Sequence, residues 1–432
     1  MRVKNQKGFA QILVLLFAVI VITIIVLIGF HIVKTKGTLL PSGNYSKSTA
    51  EILTNGDCTG FGSTTIIPPM QLNQVSFVLP YGEVVGGHVT PIDHQYYNGL
   101  NPQALRDAYN VVSPVSGRIV NITHRGNKIN TPSGTVDMPS TDEYRIVIEH
   151  SCSFLTYVDL VTSLDSSIKS QLPSGWTPQN SNWVNIPVKQ GQIIGHIGGQ
   201  TLDFAVWDLS KPLKGFVNFS TDYASAEPWK DFTAPPSSYM APSVKAQVIA
   251  KYIRTAAPVD GKIDYDISGK LIGNWFQVGT GGYHASFNKA QSYWNGHLSI
   301  APDNIDPSVY DASIGNYGAY PGAVISSGDA GSSTDNSAQF MIKSATPDPT
   351  VVERSTGLVK YELVPKRYVL PDGSQWNNSS LVTGVSAVSS GSVQATVAAQ
   401  LTGTNTLKFE VFPGKTSAQV TRFDSRATTY TR

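Results

Sequence analysis

Three stretches of this 432-residue chain bring together residue types that hold cations or move protons. "YGEVVGGHVTPIDHQYY" places His88, Asp93 and His94 in a loop bounded by Gly and Pro. "VIEHSCSFLTYVDLV" carries His150, Tyr157 and Asp159, and "GGQTLDFAVWD" carries Thr201 and Asp203 two residues apart. Imidazole and carboxylate are common ligands of divalent cations, and imidazole also exchanges its proton near neutral pH. The third stretch contains no histidine. His150 after "VIE" and His196 in "IIGHIG" nonetheless read as strand-surface residues, and His124 in "ITHRGN" reads as a turn.

The elements that must position these residues are strands. "GRIVNIT", "YRIVIEHS", "FLTYVDLV", "WVNIPV", "QIIGHIG" and "TLDFAVWDL" are short runs bounded by turn residues, and several alternate apolar and polar residues as half-buried strands do. Gly, Ser, Thr, Asn, Tyr and Val are abundant and long Leu/Glu/Lys runs are missing, so the body is predicted to be mainly β. Only 14% of residues are charged and the formal balance is +2. With no clustered basic face, a nucleic-acid partner is excluded.

"SPVSGRIV", then "VKQGQIIGHIG", then "LDFAV" resemble, in order and spacing, the scaffold of the lysostaphin-like zinc endopeptidases of bacterial cell walls, whose fold is the duplicated hybrid motif. The resemblance covers about residues 80–209. It implies a barrel-sandwich β-domain and a zinc ion held by a His, an Asp and the second His of a His-x-His strand. Residues i and i+2 of a strand share a face, so both histidines of such a pair enter one groove. A three-ligand site leaves a position for an activated water.

Carried across, His88 matches the first ligand. Asp93 matches the second, five residues on where the family usually has four, and Asp203 stands at the third. Thr201 replaces the first histidine of the pair, and Asp159 in "TYVDL" replaces the other assisting histidine. His88, Asp93 and Asp203, with His94 as a substitute ligand, could still hold a divalent cation, but two carboxylates and one imidazole favour a harder ion over zinc. A site without metal is equally physical. Loss of both assisting histidines removes donors worth on the order of 10²–10³ in rate each, so efficient peptidase activity is not expected.

Toward the N-terminus, "ILVLLFAVIVITIIVLIGF", Ile12 to Phe30, is apolar except for Thr23 and long enough for a helix to cross a hydrocarbon core of roughly 30 Å. It predicts an uncleaved, single-pass membrane anchor with the bulk of the chain on the extracytoplasmic side. "KGFAQILVLLF" also resembles the start of a type IV pilin-like protein, with Leu13 where a Glu is usual. The expected organisation is an anchor over 1–33, a tether over 34–70, the peptidase-like domain over 71–231, a Pro-rich linker over 232–243, and a second β-rich domain over 244–432 with one leading helix. Cys58 and Cys152 are candidates for one disulfide, which would tie the tether to the first domain.

In the C-terminal part, Asp303, Asn304, Asp306 and Asp311 have a spacing reminiscent of calcium loops but lack the Gly and Glu of an EF-hand. Trp275, Phe276, Tyr283, Tyr293 and Trp294 read either as core or as a glycan-stacking surface. The expected role is binding or scaffolding at peptidoglycan or a surface protein by a degenerate, non-catalytic peptidase domain. The alternatives are an active metallopeptidase with a rearranged site, and a pilin-like subunit.

Overall fold

The computed structural model describes residues 53–54, 58, 63–125, 128–131, 134–137, 143–176, 182–224, 226–283, 292–325, 336–377 and 380–432. The segment Ile12–Phe30, and with it the expected anchor and the pilin-like start, lies outside the described residues. Among the described residues no helix is long and apolar enough to cross a membrane.

The described chain is mainly β and holds two sheet-built cores. In the first half the strands are β1 (Val75–Leu79), β2 (Gln95–Gly99), β3 (Tyr109–Val112), β4 (Gly117–Arg125), β5 (Lys128–Thr131), β6 (Gly134–Asp137), β7 (Glu143–Ser151), β8 (Phe154–Val161), β9 (Ser163–Leu164), β10 (Asn182–Val188), β11 (Ile193–Ile197), β12 (Leu202–Asp208) and β13 (Thr233–Ala234). The larger sheet runs β1-β2-β12-β8-β7-β4-β10, with β13 on β12, and a smaller sheet runs β3-β11-β9. Side chains from the two sheets meet in one core that includes Val111, Ile146, Val158, Ile194, Leu202, Phe204 and Val206.

β12 is buried along its whole length, because both faces of its sheet are covered. Leu202, Phe204 and Val206 face the main core. The other face, with Tyr157, Ala205 and Trp207, packs on Leu209, Phe232 and Ile263. Asp203 shares that second face by strand alternation.

The second half closes into an antiparallel barrel. Its strands are β14 (Gly273–Gln277), β15 (His297–Pro302), β16 (Tyr310–Ile314), β17 (Ala338–Ile342), β18 (Val359–Val364), β21 (Ala395–Gly403), β22 (Thr406–Pro413) and β23 (Thr428–Thr431), with β19 (Lys366–Val369) and β20 (Ser386–Ser389) forming a separate two-stranded ribbon. Alternation fills the interior: Val359, Tyr361 and Leu363 point in from β18, and Leu407, Phe409 and Val411 from β22. At this size the interior is a packed core rather than a channel.

The helix Pro242–Ile249, expected at the head of the second domain, contributes Val248 to the first core, joined by Tyr252 just beyond it. Phe77, Leu79, Ile253, Ile305, Trp376 and Val385 form a further cluster that joins the halves. Cys58 and Cys152 are disulfide-bonded.

Candidate functional site

The loop between β1 and β2 carries the first group of expected site residues, and its path is set by glycines. Gly86 has φ 53°, and a Cβ on Gly87 would sit 3.1 Å from the Trp294 ring. The turn closes through Val85 N–H to His88 O at 3.1 Å and His88 N–H to Val85 O at 2.9 Å. Barrel residues clamp its tip. Ser337 Oγ donates to Gly86 O at 2.6 Å, and Gln339 accepts from Gly86 N–H at 3.2 Å.

Asp93, His94, Asp159 and Asp203 converge beneath this loop. Asp203 and Asp159 are direct register partners across β12 and β8, an arrangement of like charges that needs cations to be stable. His94 supplies one. Its Nδ1 lies 3.4 Å from Asp93 Oδ1, and its Nε2 lies 3.3 Å from Asp203 Oδ2 and 3.2 Å from the Tyr96 hydroxyl. Burial alone would lower the pKa of His94, but Asp203, Asp93 and Asp159 outweigh it and raise the value above the ordinary one.

Arg145 supplies the second cation: its Nε donates to Asp159 Oδ2 at 2.8 Å, and its guanidinium lies 5.1 Å from the Tyr157 ring centroid. Lys230 supplies the third. Its ammonium group, 3% exposed, is 3.3 Å from Asp93 Oδ1 and 3.1 Å from Glu227 Oε2. It also sits 5.0 Å from the centroid of the Tyr283 ring. Trp229 Nε1 donates to the other oxygen of Asp93 at 2.9 Å. Although burial by itself would raise Asp93, Lys230 and His94 hold its carboxyl far below the usual range.

The expected ligand set is therefore gathered into one neighbourhood but not in ligand geometry. His88 is exposed, with its ring centroid 6.2 Å from that of His94. Among the described residues, His88, Asp93 and Asp203 do not form a three-ligand cluster; the group close enough to count as one is Cys58, Glu149 and Cys152. Both sulfurs of that group are consumed by the disulfide and Glu149 pairs with Arg118, so it offers no thiolate. Among the described residues, His88, Asp93 and Asp203 do not offer zinc a three-ligand set. Thr201 is half-buried at the entrance to β12.

Two expectations about other histidines need correction. His150 is no strand-surface residue but fully buried, bonded to Thr156 Oγ1 at 2.8 Å and Ser116 O at 3.2 Å, and burial pushes its pKa down to about 4. It packs against the Phe154 ring. His124 lies on β4 against Tyr144, not in a turn. His196 is half-buried on β11, near Asn110 and Asp165.

In the barrel, Trp275, Phe276 and Tyr283 are buried, and Trp275 packs under the Arg432 guanidinium at 3.9 Å, which favours the core reading over a glycan surface. The Asp303–Asp311 stretch holds a lysine: Lys366 Nζ contacts both Asp303 Oδ2 and Asp311 Oδ2. Lys230, Trp229 and Lys366 escaped the sequence reading because a polar side chain announces a site only when its partners are known, and Asp93 and Asp303 lie far away in the chain.

Two cavities of about 520 and 270 Å³ lie away from the acidic cluster, one lined by Ile67, Met70, Leu72 and Val244, the other by Gln277, Tyr320 and Arg426. No family model and no curated protein matches this chain. Among solved structures the chain is similar to Helicobacter pylori Csd3 in its hexagonal and orthorhombic crystals, at 18% and 20% identity and a TM-score of 0.20 in each. The likeness covers 36% of this chain and 32% and 34% of those chains, about a third of their length. At that score it adds nothing to the reading that follows.

Proposed function

We propose that the protein is a cell-envelope binding or scaffolding protein whose peptidase-like site no longer catalyses. The observation that carries this reading is the Lys230 ammonium lodged between Asp93 and Glu227, with the His94 ring between Asp93 and Asp203. Protein cations supply the positive charge that a metal would bring, and they supply no bound water to attack a carbonyl. Asp93, His94 and Asp203 are moreover buried, which leaves little of the cluster open to a substrate. The cell wall as the target follows from the family resemblance of residues 80–209, and display outside the membrane from the apolar segment Ile12–Phe30 and the disulfide.

A rearranged metallopeptidase has one observation in its favour: His94 lies within 3.3 Å of Asp203. That histidine is committed to two carboxylates, and His150 is buried on other partners. Elemental analysis of the purified protein together with a peptidoglycan cleavage and sedimentation assay decides between the readings. The expected result is sub-stoichiometric zinc, no cleavage, and co-sedimentation with wall sacculi. Stoichiometric zinc with turnover overturns the proposal, and failure to sediment with sacculi removes the wall as target.

A further inference from the structure

The buried Lys366–Asp303–Asp311 cluster has the parts of a reaction centre rather than of an ion pair alone. Asp303 sits just after β15, Asp311 on β16 and Lys366 at the start of the β19–β20 ribbon, which lies outside the barrel wall. Asp303 is fully buried and Asp311 is 3% exposed. The two oxygens of Asp303 have different surroundings. Oδ1 accepts two backbone N–H groups, from Ile305 at 2.9 Å and Asp306 at 2.7 Å. Oδ2 faces Lys366 Nζ and accepts the Tyr368 hydroxyl at 2.6 Å. Lys366 Nζ also touches Asp311 Oδ2, while Asp311 Oδ1 has no hydrogen-bond partner among the described residues.

We propose that Lys366 and Asp303 condense to an intramolecular isopeptide bond, with Asp311 as the catalytic acid–base. Lys366 passes a proton to Asp311 and its freed amine attacks Asp303 Cγ. The charge that develops on Oδ1 falls on the two backbone donors, which are already in place. The Nζ–Cγ bond forms and the Cγ–Oδ2 bond breaks. Oδ2 leaves as water with two of the three ammonium protons, relayed by Asp311, and the third stays on the amide nitrogen. No oxidant or further reactant is needed.

Three features favour the step. Fixed contact between amine and carboxyl replaces a bimolecular encounter. Condensation removes two opposite charges from a site where keeping them costs desolvation energy. Burial, opposed by Lys366 and reinforced by Asp303, pushes the Asp311 carboxyl up to about 7, where it can both take and give a proton. The product would fasten the ribbon to the barrel wall covalently, a staple suited to a protein displayed outside the cell.

Peptide mapping of the full chain by mass spectrometry after reduction tests this. The expected finding is a branched peptide joining Lys366 to Asp303, lighter by one water than its two linear parts. Asp311→Asn should yield the linear peptides while the folded circular dichroism spectrum persists, and Lys366→Arg should do the same. Linear Lys366 and Asp303 peptides from folded wild-type protein overturn the proposal, whether or not the variants fold. Water loss that persists at Asp303 in Lys366→Arg would mark a cyclic imide instead and overturns it equally.

Discussion

Each half of the molecule buries a lysine between two carboxylates, and the two sites differ in how those carboxylates are held. At Lys230 the nitrogen lies 3.3 Å from Asp93 and 3.1 Å from Glu227, with the Tyr283 ring beside it. The second oxygen of Asp93 is taken by the Trp229 indole. Every partner stabilises the charged forms. At Lys366 the nitrogen touches Asp303, whose Oδ1 carries two backbone donors and whose Oδ2 carries a hydroxyl. Those bonds also hold Asp303 ionised, and in the proposed step they would face the oxygen on which charge develops and the oxygen that leaves. A lysine between two carboxylates thus makes an ion site in one half and, in the proposal above, a condensation site in the other, and the groups around the carboxylates decide which.

The comparison breaks most sharply at Lys230. Lys230→Ala leaves Asp93 and Glu227 without their shared cation, and removing one member of a buried charge set costs about 3–5 kcal/mol. Urea unfolding should show a loss of that size. A loss under about 1 kcal/mol, the scale of exposed pairs, would mean that water already screens the cluster, and the contrast between the two halves would lapse.

Trp229→Phe is a smaller cut at the same place. It keeps the stacking on Trp207, whose ring centroid is 5.5 Å away, and deletes the single donor to Asp93 Oδ2. A hydrogen bond to a charged group is worth about 1.5–3 kcal/mol, and the loss should appear in the unfolding midpoint with an unchanged slope. If the Trp229 and Lys230 losses add in the double variant, the two donors act independently; a sub-additive result identifies one network.

How much of this was readable beforehand follows from the range of the interactions. The strands "GRIVNIT", "FLTYVDLV" and "TLDFAVWDL" recur as β4, β8 and β12 because alternation is local, whereas the grouping of Asp93, Asp159 and Asp203 was implied by the family resemblance alone. The barrel's closure was not legible: it depends on Phe276 pairing with Thr431, at opposite ends of the C-terminal half. Lys230 was hidden for a related reason. Nothing in "EPWKDF" distinguishes a buried ammonium from a solvated one until Asp93, distant in sequence, is placed against it. His150 misled because strand alternation assigns a face without saying whether that face is covered.

Glu83 provides the smallest and finest test, because it feels the Lys366 site and the His94–Asp203 pair at once. It is half-buried, and its carboxyl is pushed up from 4.5 to about 7, chiefly by burial, with Lys366 and His94 pulling it down and Asp303 and Asp203 pushing it up. Since the folded value is the higher one, the fold favours the protonated form. The contribution to stability is complete below about 4.5 and is lost as pH rises through about 7. Glu83→Gln keeps a neutral side chain at every pH, so it should leave stability nearly unchanged at pH 5 and raise it by about 1–2 kcal/mol at pH 8, discounted for partial exposure. Unfolding measured at both pH values checks the sign, and an equal shift at both would assign the effect to a lost hydrogen bond. The same variant sharpens the comparison when placed in Lys366→Arg. If Lys366 and Asp303 have condensed in the wild type, their opposing pulls on Glu83 are already gone. The gain at pH 8 should then change when the arginine restores a cation beside a free Asp303.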